Sequence, residues 1–462
     1  MFDSQVYIQR RKKLKQQLGS GLVLLLGNEE SSINFSDNHY PFRQDSSFLY
    51  FYGLNNPGLV GLIDIDQDQD ILLGTETSVI ELIWAGPQPT LEALALQAGV
   101  DLVYPLAETV SLLQKAKSSQ RKIHFLPPYR HEHEKKIRDW LGLRDTPLHD
   151  HISAELIKAV VSQRSYKSTE EITEIEKAVD IAVDMQMEVM RFAKAGMKEV
   201  ELLGRLYDVA LRTGGNISFP PIVTVNGQIL HNHSYDNILS TGQMLLCDCG
   251  AETAMRYSSD LTRTFPVDTK FSPRQKDVYE IILHAHQKAI KSLLPGTHFK
   301  DIHLLACETL VDGLKDIGLM KGNTQDAVLA GAHALFFQCG LGHMMGLDVH
   351  DMENLGEEYV GYTVELRQSK EFGLRSLRLG KALEAGFVIT VEPGIYLIPE
   401  LINQWQRSRK HTDFINYEKV NSYKDFGGIR MEDDYLITPG GSRLLGKALP
   451  LSVAEIEEVR SQ

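Results

Sequence analysis

The chain has 462 residues, of which 43% are hydrophobic and 24% charged, with a formal net charge of −13. This is enough apolar material for a sizeable core, so a wholly disordered chain is excluded, and the length suggests two to three domains. The acidic balance is unsuited to polyanions and argues against nucleic acid as the main partner.

A basic helix is predicted over about residues 7–18, followed by an apolar strand in the run Gly21 to Gly27 (GLVLLLG). That run is shorter than a signal-peptide core and no small-residue cleavage pattern follows it. No stretch approaches the roughly 20 apolar residues of a membrane span, so the expectation is a cytoplasmic protein with no membrane contact. Strand-like runs follow at 47–53 (SFLYFYG), 59–65 and 71–73, with helical runs near 90–98 and 131–141. Such alternation predicts a mixed or parallel sheet covered by helices. His131-Glu132-His133-Glu134 invites a metal reading, but alternate helical residues point to different faces, so a solvated face is expected.

A boundary near 160–168 divides an N-terminal domain, 1–165, from a second, 166–462. Ser168 and Glu171 form a capping box, ahead of a helix with Ile172, Ile175, Val179, Val183 and Met190 at helical spacing. A second helix is predicted over 198–213, then strands over 217–266. The pattern recurs: Ser272-Pro273 starts a helix to Leu294, another covers 299–317, and strands are expected over 385–438. Two helix pairs, each followed by strands, suggest an internal duplication.

Cys247, Cys249, Cys307 and Cys339 are too few for a disulfide framework and lack the usual zinc spacings, which fits a reducing compartment. Cys247 and Cys249 share a strand face and are expected in the core.

Four carboxylates carry the chemistry. Asp248 follows the apolar Met244 to Cys247, and Asp260 precedes Leu261 to Phe265 at a hairpin-like separation. Glu392 follows Val388 to Val391, and Glu432 lies in Gly428 to Asp433. Acids inside sheets are expensive to desolvate unless cations compensate them. The turn Gly340 to Asp351 adds His343 and His350. One histidine with four carboxylates is a hard, oxygen-rich set that favours manganese, with cobalt, iron or magnesium as alternatives, over a structural zinc site. The negative charge suits two divalent ions rather than one.

The order Asp248, Asp260, His343, Glu392, Glu432, in the strings DCGAE, SDLTRTF, GLGHMMGLDVHD, VEPGIY and GIRMEDD, resembles the dinuclear metallopeptidases of the pita-bread fold, and within them the Xaa-Pro aminopeptidases (aminopeptidase P) and Xaa-Pro dipeptidases (prolidases). YPFRQDSSFLYFYGLNNPG, 40–58, is similar to the N-terminal domain of aminopeptidase P and several prolidases. The resemblance implies an α/β N-terminal domain and an α+β pita-bread (creatinase/aminopeptidase-like) catalytic domain. It implies that Asp248 chelates one metal, that Asp260 and Glu432 bridge two, and that His343 and Glu392 complete the second site. Glu392 would also take a proton from the nucleophilic water, while His231 and His350 face the substrate. His233 is the alternative to His231; Arg430 resembles a catalytic and Tyr396 a substrate-binding hydrogen-bonding residue of the family, with an ion pair to Glu432 or Asp433 and an ordinary strand aromatic as the equal alternatives. Arg375 and Arg378 are read either as carboxylate binders or as a solvated loop.

The chain departs from the family pattern in one extra residue within Thr253 to Tyr257, in Cys339 where many members have His, and in a longer segment at 352–384 expected to shape the pocket rim. The implied activity is cleavage of the Xaa-Pro bond at the N-terminus of peptides, by a hydroxide bridging two ions, most readily Mn2+. An Xaa-Pro dipeptidase is the alternative, and a metal-free binding module the remote one. The implied partners are peptides with proline second, and a second copy or more of the chain in a homo-oligomer, dimer or tetramer.

Overall fold

In the computed structural model, which describes residues 1–462, the Asp3 carboxylate accepts the Gln5 N–H and starts helix α1 (Ser4–Leu18). The compact units of the chain are Met1–Arg164 with Asn354–Tyr359, and Ser165–Glu353 with Val360–Gln462.

In the first unit, β1 (Leu22–Leu26) is buried along its whole length. Helix α2 (Ser46–Tyr52) follows, then β2 (Val60–Asp64), β3 (Gln69–Gly74), α3 (Val79–Ala85) and α4 (Leu91–Ala98). The unit continues through β4 (Leu102–Pro105), α5 (Thr109–Ser118), β5 (Ile123–Phe125), α6 (His131–Leu141) and α7 (Ala154–Arg164). The sheet order is β4-β3-β2-β1-β5, with antiparallel β1–β2 and β2–β3 pairs and parallel β1–β5 and β3–β4 pairs, which is the mixed sheet expected. Leu24, Leu62, Leu73, Phe125 and Ile137 form its core. Arg11 of the basic helix is fully buried and donates to the carbonyls of Phe51, Ala98 and Gly99.

Two expectations are corrected here. Residues 47–53 are helical, not extended: Asp45 accepts the Phe48 N–H, Gly53 closes the helix in the left-handed region, and all seven residues are buried. A helix buried all round shows no amphipathic period, so its aromatics read as a strand. In the HEHE run, His133 is buried and bonds the Gly27 carbonyl at 3.1 Å, so the face is not wholly solvated.

The second unit begins with α8 (Thr169–Phe192), started by the expected Ser168–Glu171 capping box. Next come α9 (Glu199–Arg212), β6 (Asn216–Ile217), β7 (Ile222–Thr224), β8 (Met244–Cys249), β9 (Ala251–Glu252) and β10 (Leu261–Pro266). A second helix pair, α10 (Pro273–Lys291) and α11 (Phe299–Asp316), precedes α12 (Thr324–Leu329), β11 (Val388–Val391), β12 (Gly394–Tyr396), β13 (Gly428–Arg430), β14 (Asp433–Thr438) and β15 (Gly441–Leu444). The sheets are β10-β8-β7, β11-β14-β15, β12-β13 and β6-β9. Single bridges Thr262–Glu432 and Met344–Ile389 tie the acid-bearing segments together. The stretch 385–438 is not all strand. Helices Pro399–Arg407 and Tyr417–Asn421 interrupt it, the first with proline at its start and Ile402 and Trp405 buried. Both units match the fold class expected, mixed α/β followed by α+β.

Candidate active site

Alternation along β8 sends Cys247 and Cys249 into the core and Asp248 to the opposite face. In the antiparallel pairing, Asp248 lies across from Thr262 on β10. Past β8 the two segments press together at Gly250, where a Cβ would stand 1.8 Å from the Ser259 carbonyl oxygen, so only glycine allows the approach. The chain turns back over Thr253–Tyr257, with Arg256 left-handed at φ 71° and the Thr253 N–H donating to the Tyr257 carbonyl. The β8–β10 register is undisturbed.

His343 follows Gly342, whose Cβ would meet the Thr390 oxygen at 2.1 Å. This close approach lays the His343 segment against β11. The Nδ1 of His343 faces the Met344 carbonyl at 3.0 Å and must donate to it. Its Nε2 therefore carries a lone pair, 3.5 Å from Asp260 Oδ2 and 3.8 Å from Glu392 Oε1. Lys167 and Asp351, a buried pair at 2.8 Å, brace the same turn.

Glu432 is held by Thr262, whose hydroxyl donates to Oε2 at 2.8 Å and accepts from Arg430 Nε at 3.2 Å. Arg430 also pairs with the Asp248 carboxylate and donates to Tyr396 Oη at 2.9 Å. Arg263, itself buried, donates to the Glu432 carbonyl at 2.8 Å and to Asp433 at 2.7 Å. Asp434 accepts the Asp260 N–H at 3.0 Å.

Burial, and then repulsion from Asp248, Asp434 and Glu392, pushes the Asp260 carboxyl well above the usual carboxylate range. Glu432 is raised likewise by burial and by Asp260, Glu392 and Asp248, and burial raises Glu392. Burial alone would lower the Arg430 guanidinium; Tyr396, Asp248, Glu432 and Glu392 outweigh it and hold it well above its ordinary value. Burial lowers His343 and keeps it neutral. One arginine does not balance these acids: Oδ1 of Asp248 and Oδ1 of Asp260 are buried without a hydrogen-bond partner. The donor atoms of Asp260, His343 and Glu432 lie within 4.8 Å of one another. Hard oxygen donors, a free imidazole lone pair and orphaned carboxylate oxygens fit divalent cations.

These residues form the floor of a cavity of about 570 Å³. His231, His233 and His350 line it, with Phe219, Pro220, Ile222 and Val349 as an apolar wall. His350 Nδ1 bonds Glu353 Oε2 at 2.6 Å, and burial followed by the nearby His343 brings its pKa down to about 4. Burial, and then the nearby Arg430, lowers the pKa of His231. Tyr396 is fully buried behind Arg430 and is not part of the cavity wall. Cys339 lines the cavity, as do Ser376 and Arg378 from the long segment 352–384. Arg375 instead stacks over Phe372, exposed. Thr262, Arg263 and Asp434 went unassigned in the sequence although they lie inside the motif strings, beside residues that were assigned.

Residues 173–439 match Metallopeptidase family M24, and residues 7–124 match Aminopeptidase P, N-terminal domain. The chain belongs to metallopeptidase family M24. The Xaa-Pro dipeptidase of Homo sapiens is 32% identical over 457 residues, covering 97% of this chain and 90% of its own. The Xaa-Pro aminopeptidase of Haemophilus influenzae is 30% identical over 462 residues, covering 98% and 96%. The solved structure of proline aminopeptidase P II from Yersinia pestis aligns over 100% of both chains, with a TM-score of 0.82 and 27% identity. The catalytic unit of this M24 metallopeptidase thus has the pita-bread fold. No helix is long and apolar enough to cross a membrane.

Proposed function

We propose that this chain is a metal-dependent exopeptidase that hydrolyses the Xaa-Pro bond at the N-terminus of peptides. The observation that carries the reading is the convergence of Asp248, Asp260, His343, Glu392 and Glu432 from five segments onto the lining of one cavity, with buried carboxylate oxygens left unpaired. In this reading Asp248 would serve one divalent ion, His343 and Glu392 a second, and Asp260 and Glu432 would serve both, with Mn2+ the best match to the donor set. Bound there, the two ions would supply an ionised water and polarise the scissile carbonyl.

The chain's own groups do the rest. Glu392 would take the proton of the attacking water and return it to the proline nitrogen, which has no hydrogen of its own. His350, with Nδ1 committed to Glu353, presents Nε2 to the cavity. With Nδ1–H donated to Glu353, the neutral ring offers its Nε2 lone pair as an acceptor for a substrate N–H or for the attacking water. His231, which lines the cavity, would face the substrate, and Arg430, backed by Tyr396, would orient Asp248. The apolar wall of Phe219, Pro220, Ile222 and Val349 suits a proline ring.

A second reading, an Xaa-Pro dipeptidase, is favoured by Arg378. Its guanidinium lines the cavity beside Glu353, 3.2 Å away, where the free carboxylate of a C-terminal proline would find a cation. The test is hydrolysis of an Xaa-Pro dipeptide and an Xaa-Pro-Yaa tripeptide with Mn2+ added. Turnover of the tripeptide supports the aminopeptidase; cleavage of the dipeptide alone establishes the second reading; cleavage of neither removes both.

The four free cysteines fit a cytoplasmic location. A homo-oligomer is supported by α3, which leaves Val79, Ile80, Ile83 and Trp84 exposed, Trp84 at 84%.

A further inference from the structure

Two imidazoles and a thiol that do not line the cavity converge inside the second unit. His303 and Cys307 lie one turn apart on α11, and His333 comes from the 3-10 turn Ala332–Leu335. Cys307 Sγ is 3.4 Å from His303 Nε2, and the donor atoms of all three lie within 4.8 Å of one another. His303 and Cys307 are 0% exposed and His333 2%. His303 Nδ1 and both ring nitrogens of His333 make no well-formed hydrogen bond, although the Val328 carbonyl is near enough to favour a protonated His333.

A core histidine normally spends its ring nitrogens on neighbours, since unpaired buried polar atoms are costly and rare. Here one nitrogen of each ring and a thiol converge while the other ring nitrogens also lack well-formed partners, which are the surroundings of a ligand. Burial keeps both rings neutral, with His303 lowered to about 3 and His333 to about 4, so each has a lone pair to give, while it pushes the Cys307 thiol up, so that an incoming ion must displace its proton. The cysteine spacing hid this group because its third donor arrives from a separate turn.

We propose that His303, Cys307 and His333 form a second metal site, selective for a thiophilic ion such as Zn2+. The ion takes two imidazole nitrogens and the Cys307 thiolate, and the thiol proton leaves to solvent, one for each ion bound. Nitrogen and sulfur donors select zinc, where the oxygen-rich cavity floor suits manganese. The bound ion would clamp α11 to the turn that leads into Cys339 and Gly340 of the cavity wall. This site does not depend on the peptidase reading.

The test uses the full chain, stripped with chelator and then saturated with Mn2+. Co2+ is titrated in while the near-ultraviolet thiolate-to-cobalt charge-transfer band is followed. The expected result is a band that saturates at about one equivalent, is lost in Cys307→Ser and in His333→Phe, and survives in Cys339→Ala. Two variants guard against one failing to fold, with circular dichroism as the check. The proposal is overturned if wild-type protein gives no band with excess Co2+, or if the band persists in Cys307→Ser, or if it vanishes in Cys339→Ala.

Discussion

Thr262 serves two partners at once, donating to Glu432 and accepting from Arg430. Thr262→Val keeps the shape and removes both bonds, leaving Glu432 free to rotate. Loss of such a supporting bond costs about 10–100-fold in metal affinity or activity, and that loss is expected in Mn2+ titrations of the variant. Arg378→Ala separates the two substrate readings. It should raise KM for an Xaa-Pro dipeptide by about tenfold or more, since a charge-assisted pair is lost, and leave a tripeptide nearly unaffected. Equal effects on both substrates would mean that Arg378 shapes the wall without meeting a carboxylate. The acids and His343 were legible because carboxylates on apolar strands are conspicuous. Thr262 and Arg263 were not, because a threonine or arginine on a strand is ordinary until its partners are known.

At the scale of elements, α8 owes its start to Ser168, which accepts the Glu171 N–H while Glu171 caps Ser168 in return. Ser168→Ala should cost about 1 kcal/mol, read as a lower urea midpoint with unchanged slope. Helix α10 carries a different liability. His286 is wholly buried, 3.5 Å from Asp433, and burial lowers its pKa to about 4. The unfolded chain protonates this ring near its ordinary value of about 6.5. Its contribution to stability is therefore complete above that pH and is lost as pH falls towards 4. His286→Phe does not titrate, so the wild type should lose urea resistance relative to the variant between pH 6.5 and 4. A constant difference across that range would contradict the argument. Capped helices with a visible apolar period, such as α8 and α10, were readable from sequence. The helix Ser46–Tyr52 was not, because burial on every side erased the period. The helices within 385–438 were hidden among strand-like residues around them.

For the whole molecule, near-full-length similarity to Xaa-Pro peptidases and the two helix-pair-and-sheet halves agree with the order of motifs in the chain. What the chain order did not reveal was the exposed apolar face of α3. If that face joins copies of the chain, Ile83→Glu should shift the protein to a smaller species in sedimentation. An unchanged species would remove α3 from the interface.

The central claim is that a buried set of anionic oxygens persists because divalent cations fill it. Equilibrium dialysis of chelator-stripped protein against Mn2+ tests this most directly, with Asp260→Asn alongside. The account predicts about two Mn2+ per wild-type chain, and a clear loss in the variant. Less than one Mn2+ per wild-type chain, or equal binding by the two proteins, would contradict it.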